Sequence, residues 1–139
     1  MKMILGFFLN IYVALYRLTK GRIGGRMAGM DVLLLHTVGR KSGKSRTAPV
    51  GYMIDNGDYV IIASAGGAAK NPGWYHNLKA NPDATIELKG RQEIGVHADE
   101  AEGEARDALW KQVVARSPGY GKYESKTERT IPVMILRPQ

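Results

Sequence analysis

The chain has 139 residues, of which 44% are hydrophobic and 24% charged, with a net charge of +7 and no cysteine. This length allows one domain with a sizeable core and excludes two independent cores. The missing cysteine excludes disulfides, thiolate nucleophiles and cysteine-ligated metals, and His36, His76 and His97 lack the spacing of a metal site. We therefore expect a single-domain cytoplasmic protein without a metal ion.

Basic residues are concentrated in the first 50 positions. That part holds nine Lys or Arg against one acid, Asp31, whereas residues 51–139 hold eleven against twelve. A basic field confined to one part of a chain indicates an acidic partner: nucleic acid, an anionic membrane or a small polyanionic ligand. No predicted helix is both basic and typical of nucleic-acid recognition, and no RNA-binding aromatic signature is present, so we expect no nucleic-acid partner.

The apolar segment ILGFFLNIYVALY, residues 4–16, predicts a helix. It is too short to span a bilayer, which needs roughly 20 residues, and no signal-peptide cleavage site follows it. One arrangement is a helix packed on the domain or in a homodimer interface through the small residues Gly6, Asn10 and Ala14. The other is a helix lying on the anionic inner face of the cell membrane, held by basic residues on its flanks. We favour the packed helix and keep peripheral membrane contact as the alternative.

Six segments after residue 30 predict β-strands, because they carry continuous apolar runs or alternate apolar and polar residues. They are DVLLLHT (31–37), TAPVGYMI (47–54), YVIIASA (59–65), ATIELK (84–89), QEIGVHA (92–98) and IPVMIL (131–136). Asn56 and Gly57 tolerate positive φ and predict a hairpin turn between the second and third strands.

Two segments predict helices. The short helix lies within NPGWYHNLKANPDA, residues 71–84, with Asn71 as the expected N-cap and Asn81 at its end. The long helix covers EAEGEARDALWKQVVARS, residues 100–117, and SPGYGKY, residues 117–123, predicts a turn. The residues expected on the core-facing side of the long helix are Ala105, Leu109 and Val113, with Trp110 and Val114 beside them.

These elements predict a mainly β fold of the α+β class. Six short strands, hairpins between neighbours and one long helix before the last strand favour a small closed barrel with helices outside it. Residues 1–30 are expected to form the N-terminal helix and a basic, Gly-rich connector, and residues 31–139 the barrel domain.

The segment GRKSGKSRTAP, residues 39–49, favours a concave anion site. Two glycines allow a tight turn in which backbone N–H groups converge, and four basic side chains supply positive charge. A Walker loop is excluded, because three residues instead of four separate the glycines and a strand follows where a helix is required. From these residues alone, an anion site and a solvated hairpin loop are equally supported.

No set of nucleophile, base and acid stands out in the chain. This absence is typical of a protein whose bound cofactor performs the chemistry while the fold orients the reactants.

Two segments, LLLHTVGRKSGKSRTAPVGYMIDNGDYVIIASAGGAAKNPGWYHNLKANP and SPGYGKYESKTERTIPVMIL, resemble the deazaflavin-dependent nitroreductase family, which uses coenzyme F-420. The similarity runs from about Asp31 to the C-terminus and covers several separated motifs in order. It implies an FMN-binding-like, six-stranded split β-barrel. It also implies an oxidoreductase that transfers a hydride from reduced F-420 to a quinone, a nitroaromatic or an activated enone.

The resemblance also implies which residues bind the cofactor. Arg40, Lys41, Ser42 and Arg46 would hold the phosphate, Lys44 would lie near the oligoglutamate tail, Thr47, Ala48, Pro49, Val50, Gly51, Ala63, Ser64 and Ala65 would line the ring, and Gly73, Trp74, Tyr75, His76 and Asn77 would close the pocket. A rigid Arg fork with mobile Lys side chains suits a ligand that carries a phosphodiester and carboxylates.

Tyr120 and Tyr123 match tyrosines that wall the substrate pocket of the family, and with Ser64 they are the candidate catalytic residues. A phenol offers a flat apolar face and a donor for a quinone carbonyl, and Tyr120 is preferred and would also contact the cofactor. Some relatives active on nitroimidazoles carry an aromatic residue three positions before Tyr120, where this chain has Ser117. Nitroimidazole activation is therefore not expected.

Two alternatives from other classes stay open at this point. An FMN-binding oxidoreductase on the same barrel would need the same phosphate clamp. A non-catalytic module that binds anionic lipid or nucleic acid would use the same N-terminal charge.

Overall fold

The computed structural model describes residues 2–22, 24–27, 29–64, 67–90 and 92–139, with the backbone alone for residues 2–8 and for Met27. The elements of this part of the chain are α1 (Lys2–Leu18), β1 (Arg26–Met27), β2 (Met30–Val38), β3 (Ser45–Asp55), β4 (Asp58–Ile62), α2 (Gly73–Ala80), β5 (Asp83–Leu88), β6 (Gln92–Glu100), α3 (Gly103–Arg116), α4 (Gly119–Lys126) and β7 (Val133–Pro138). The six predicted strands are confirmed, and the short β1 is added next to β2.

The sheet closes on itself. Its strand order is β1-β2-β3-β4-β7-β6-β5, and β5 pairs back with β2 through partners such as Leu35 and Ile86. All the pairings are antiparallel. Closure of the six strands β2–β7 into an antiparallel barrel with helices on its outside confirms the predicted fold class.

Strand β2 is buried on both of its faces. Leu33 and Leu35 belong to the core inside the barrel, whereas Val32 and Leu34 pack on the outer face against Tyr16 of α1. Because successive side chains of a strand point to opposite faces, burial of both faces requires a continuous apolar run. This explains why the segment shows no alternation.

Helix α1 packs on the barrel, in the arrangement that the sequence favoured. Tyr16 is 1% exposed and its hydroxyl donates to the Val32 carbonyl at 2.8 Å. Asn10 and Ala14 are exposed, so they do not make this contact, and their expected place in a homodimer interface stays a prediction. The contact is made instead by Tyr12, Val13 and Tyr16, whose larger side chains reach the strand. None of the helices described has the length and hydropathy of a membrane-spanning segment.

A second core lies between the barrel and the helices α3 and α4. Trp110, Val113 and Tyr120 pack there against Met53 and Ile62. The turn predicted for residues 117–123 is corrected, since α4 begins inside it. Its two glycines lower helix propensity, but burial of Tyr120 to 7% exposure outweighs that local cost.

Two smaller predictions near the helices are also corrected. Ala105 is exposed, so the buried side of α3 consists of Leu109, Trp110 and Val113. Asn71 does not cap α2, because its Oδ1 accepts a hydrogen bond from Arg129 at 2.6 Å and the N-cap is Pro72.

Candidate functional site

The loop between β2 and β3 is a tight turn closed by its own backbone. The Gly39 N–H donates to the Lys44 carbonyl and the Gly43 N–H to the Gly39 carbonyl, both at 2.8 Å, and the Lys44 N–H donates to Ser42 Oγ at 3.2 Å. Gly43 has a φ of 69°, which favours glycine. Because these amides are used inside the loop, an anion bound here would be held mainly by side chains and less by the converging amides that the sequence predicted.

Asn77 of α2 ties the loop to the helix. Its Oδ1 accepts hydrogen bonds from the Arg40 backbone N–H at 3.1 Å and from Arg40 Nη1 at 3.4 Å. Its Nδ2 donates to Thr37 Oγ1 at 3.1 Å. Asn77 and Thr37 are buried, so this amide fixes the position of the loop relative to the barrel end.

A cavity of about 440 Å³ lies beside this loop. Its lining residues are Leu9, Thr37, Gly39, Arg40, Lys41, Ser42, Arg46, Thr47, Ala48, Gly73, Trp74 and Asn77. The cavity therefore has three cationic side chains from the loop and its flank on one part of its lining. The apolar part consists of Leu9 from α1, Ala48 from β3 and Trp74 from α2. That combination suits a ligand with an acidic handle and a flat, apolar body.

The cavity brings together nine of the predicted cofactor residues. These are Arg40, Lys41, Ser42, Arg46, Thr47, Ala48, Gly73, Trp74 and Asn77. Sequence reasoning missed Leu9 and Thr37, whereas Gly39 was expected as a turn glycine of the loop. Leu9 lies far from the loop in sequence, and nothing in its surroundings indicated a role in the site. Thr37 is a polar residue at the end of an apolar strand, a pattern that could have indicated a site residue.

The other predicted residues lie elsewhere. Lys44 is exposed in the loop outside the cavity lining, and Pro49, Val50 and Gly51 continue along β3. Ala65 lies outside the described residues.

An open strand edge leads away from the cavity along β3. β2 pairs with β3 from Ser45 to Tyr52, but β4 pairs with it only from Tyr52 to Asp55. On the β4 side, no strand pairing is described for residues 46–51, which span roughly 16 Å at about 3.3 Å per residue. A long ligand held at the loop can therefore lie along this edge.

Tyr120 stands at the far end of this edge. A Cβ on Gly51 would lie 3.0 Å from the Tyr120 hydroxyl oxygen, so glycine is what lets the phenol approach the β3 backbone. Burial, and to a smaller extent the neighbouring Tyr123, raises the pKa of Tyr120, so its hydroxyl stays protonated well into the alkaline range and can donate a hydrogen bond. The two rings meet edge to face at 5.4 Å.

Arg129 holds the segment after β4 in place. Its guanidinium donates to the carbonyls of Ala63 (3.2 Å), Ser64 (2.8 Å) and Ala68 (3.0 Å), and to Asn71 Oδ1. The predicted strand 59–65 is therefore shorter than expected, because β4 ends at Ile62 and Ala63 and Ser64 lie in the segment after it. Ser64 is buried there, with 8% exposure. Sequence reasoning missed Arg129, because nothing local distinguishes it from a surface arginine.

Tyr75 and His76 are not among the residues that line the cavity. The Tyr75 hydroxyl donates to Glu100 Oε1 on β6 at 2.7 Å, and the His76 ring lies against the Tyr75 ring at 5.3 Å. Burial and the hydrogen bond to Glu100 raise the pKa of Tyr75 to about 12. Their expected cofactor contacts stay predictions.

The raised pKa of Tyr75 predicts a loss of stability in alkali. An unfolded tyrosine ionises near pH 10, whereas folded Tyr75 holds its proton to about 12, so the free energy of unfolding falls as pH rises between these values. Urea unfolding at about pH 9, 10 and 11 should show a smaller fall for Tyr75→Phe than for the unaltered protein. Equal slopes for the two proteins would contradict this assignment.

The fold and the cavity together define a class of protein: a closed split barrel with a cavity suited to an anionic, partly planar small molecule beside a cationic hairpin loop. A family model described as F420H(2)-dependent quinone reductase matches residues 9–138. The chain therefore belongs to this family, which confirms the resemblance to deazaflavin-dependent enzymes.

Curated and solved relatives agree with this assignment. An F420H(2)-dependent quinone reductase of Mycobacterium tuberculosis is 44% identical over 132 residues, which cover 92% of this chain and 88% of that protein. A solved structure described as an F420-H2 dependent reductase (FDR-A) is 42% identical with a TM-score of 0.69, covering 76% of this chain and 93% of that one. Another, described as a domain-swapped dimer, has the same identity and TM-score and covers 76% and 79%.

Proposed function

We propose that this protein transfers a hydride from reduced coenzyme F-420 to a quinone. Family membership and the 44% identical reductase support the activity. The observation that carries the proposal is a cavity in which the loop cations, Trp74 and the start of the open β3 edge meet. Nitroaromatic and enone acceptors stay predictions from the sequence.

The residues of the cavity fit the chemistry of F-420. Arg40, Lys41 and Arg46 would bind the phosphodiester and the carboxylates, where charge-assisted hydrogen bonds are strongest. Trp74 and Ala48 would pack against the apolar part of the ligand and exclude water. When bound, the reduced cofactor supplies a two-electron hydride, so the chain itself has to orient the two reactants.

Tyr120 is the residue proposed to position the acceptor. Its protonated hydroxyl lies at the end of the open β3 edge and can donate a hydrogen bond to a quinone carbonyl, which stabilises the charge that develops there. Tyr123 packs against its ring and limits its motion. Ser64, two residues after β4, is the second candidate donor.

Binding and turnover test the proposal directly. Titration of the purified protein with F-420 should give saturable binding, and the reduced cofactor should be oxidised faster when menadione is added. FMN serves as the competing ligand, since a flavin enzyme on this barrel would prefer it. Absence of F-420 binding together with absence of menadione-dependent oxidation would overturn the proposed activity.

We also propose that α1 contacts the inner face of the cell membrane and so places the enzyme at its surface. The outer side of the helix exposes Ile11, Leu15 and Leu18, of which Leu18 is 81% exposed, and Lys20 and Arg22 follow it. Apolar side chains beside cations suit an anionic leaflet, where lipid quinones are within reach.

Vesicle sedimentation tests this contact. Leu18→Ser should reduce binding to vesicles of anionic lipid by about 5- to 30-fold, because burial of one leucine contributes roughly 1–2 kcal/mol. The matched control is Ile54→Ser on β3, which removes a 57% exposed apolar side chain far from α1 in the sequence. A homodimer through the same face is the competing arrangement, and light scattering that reports a dimer without vesicle binding would favour it.

A further inference from the structure

A buried polar network lies behind the cavity and connects it to α1. Glu87 on β5 is 3% exposed, and its carboxylate accepts three hydrogen bonds from Arg17 of α1 at 3.0–3.2 Å. Its Oε1 lies 3.5 Å from His36 Nε2, and His36 Nδ1 lies 2.8 Å from Thr47 Oγ1. Thr47 lines the cavity, so four side chains run from the helix to the ligand site.

The carboxylate of Glu87 decides which ring nitrogen of His36 carries the proton. Nε2 is buried and has no hydrogen-bond partner at standard geometry, and Glu87 Oε1 is the charged atom that it faces. A buried lone pair pointing at a carboxylate is repelled, whereas an N–H pointing at it is attracted. The neutral ring therefore holds its proton on Nε2, which leaves a lone pair on Nδ1.

The state of Nδ1 sets the direction of the next hydrogen bond. A lone pair on Nδ1 can only accept, so the Thr47 hydroxyl must donate to it at 2.8 Å. A hydroxyl has one hydrogen and two lone pairs, and once that hydrogen points to His36 only lone pairs remain for the cavity. Thr47 then offers an acceptor amid the loop cations, each of which can only donate.

We propose that Glu87 and His36 orient the Thr47 hydroxyl so that it accepts a hydrogen bond from a hydroxyl or N–H group of the bound ligand. His36 and Glu87 act as positioning residues, and Thr47 as the residue that contacts the ligand. This inference rests on the proposed place of F-420 in the cavity. It adds a specificity element: the part of the ligand that faces Thr47 is a donor, whereas the part that faces the loop is an acid.

The tautomer of His36 can be measured without any ligand. In nitrogen-15 NMR spectra of the labelled protein at about pH 8, Nε2 should have the shift of a protonated nitrogen and Nδ1 that of an unprotonated one. His76 in the same spectrum provides an internal reference. Glu87→Gln removes the carboxylate charge and should increase the share of the Nδ1–H form. A predominant Nδ1–H form in the unaltered protein would overturn the proposal.

Binding of F-420 to variants tests the consequence. Thr47→Val, which keeps the shape and removes the hydroxyl, should weaken F-420 binding by about 5- to 20-fold, whereas Thr47→Ser should stay within about 2-fold. His36→Phe should weaken binding in the unaltered background and have no further effect in Thr47→Val, because it acts through that hydroxyl. His36→Asn, which keeps an acceptor near the position of Nδ1, should restore part of the loss.

The possible results of these experiments separate the proposal for Thr47 from the proposed function. Additive effects of His36→Phe and Thr47→Val would show that the two side chains act separately and would overturn the proposal, as would full affinity in Thr47→Val. If the unaltered protein fails to bind F-420, the proposed function falls, and the nitrogen-15 measurement still decides the orientation of Thr47. Thermal unfolding of each variant separates a lost contact from a lost fold, with Thr47→Ser as the conservative comparison.

Discussion

Replacement of both Lys41 and Arg46 by alanine is expected to weaken F-420 binding by about 100-fold while the free energy of unfolding changes by less than about 0.5 kcal/mol. Both residues line the cavity and both are exposed, so they are placed for a ligand and add little to packing. Charge-assisted hydrogen bonds contribute about 1.5–3 kcal/mol each, and solvent screening keeps the pair near the lower end of that range.

The matched control is the pair Lys111→Ala and Arg116→Ala, which removes the same charge from exposed positions on α3. This variant should bind F-420 within about 2-fold of the unaltered protein, because screening weakens charges more than about 8–10 Å away. The affinity for F-420 should also fall with added salt in the unaltered protein. It should fall less steeply in the double variant that carries Lys41→Ala and Arg46→Ala. Equal losses in the two double variants would mean that net charge matters and the loop does not.

Arg17→Met is expected to lower the free energy of unfolding by about 2–3 kcal/mol, which is the largest single effect on stability that we predict. Glu87 is 3% exposed, and the variant leaves its charge without the guanidinium that donates three hydrogen bonds to it. Removal of one partner of a buried pair costs about 3–5 kcal/mol, and the expected loss lies at or just below the lower end of that range because Arg17 itself is one-third exposed.

Urea unfolding measures this loss, and two further variants identify its cause. Glu87→Gln in the Arg17→Met background should recover part of the stability, because a neutral amide is less costly to bury than an unpaired carboxylate. Lys89→Met breaks the exposed ion pair with Asp31, 3.3 Å apart, and should change stability by less than about 1 kcal/mol. A loss as large for Lys89→Met as for Arg17→Met would contradict the role given to burial.

Local patterns predicted those parts of the fold that depend on neighbouring residues. The apolar run of β2 and the hairpin turn at Asn56, whose φ is 51°, follow from side-chain burial and backbone preference over a few positions. Helix α4 could not be predicted in this way. The segment around Gly119 and Gly121 is a poor helix former, and only the pocket that receives Tyr120 compensates for it.

In the candidate site, too, the locally encoded part could be predicted from the sequence and the part formed by distant residues could not. The loop from Gly39 to Arg46 was recognisable from two glycines and four basic residues, because turn geometry and charge are local properties. Its partner Asn77 is 37 residues away, and Leu9 reaches the cavity from α1. The acceptor role inferred for Thr47 depends on Glu87, which in sequence was one acid among strand residues.

The sequence by itself determined the strand segments, the cationic turn and the family to which the chain belongs, since each is written in contiguous residues. Only the tertiary structure decided that Arg17 meets Glu87 across 70 positions and that, among the described residues, no strand pairs with β3 on its β4 side between the loop and Gly51. The physical reason is closure of the barrel. Pairing of β5 with β2 brings distant polar groups into a low-dielectric space, where each must find a partner, and no local preference specifies which partner that is.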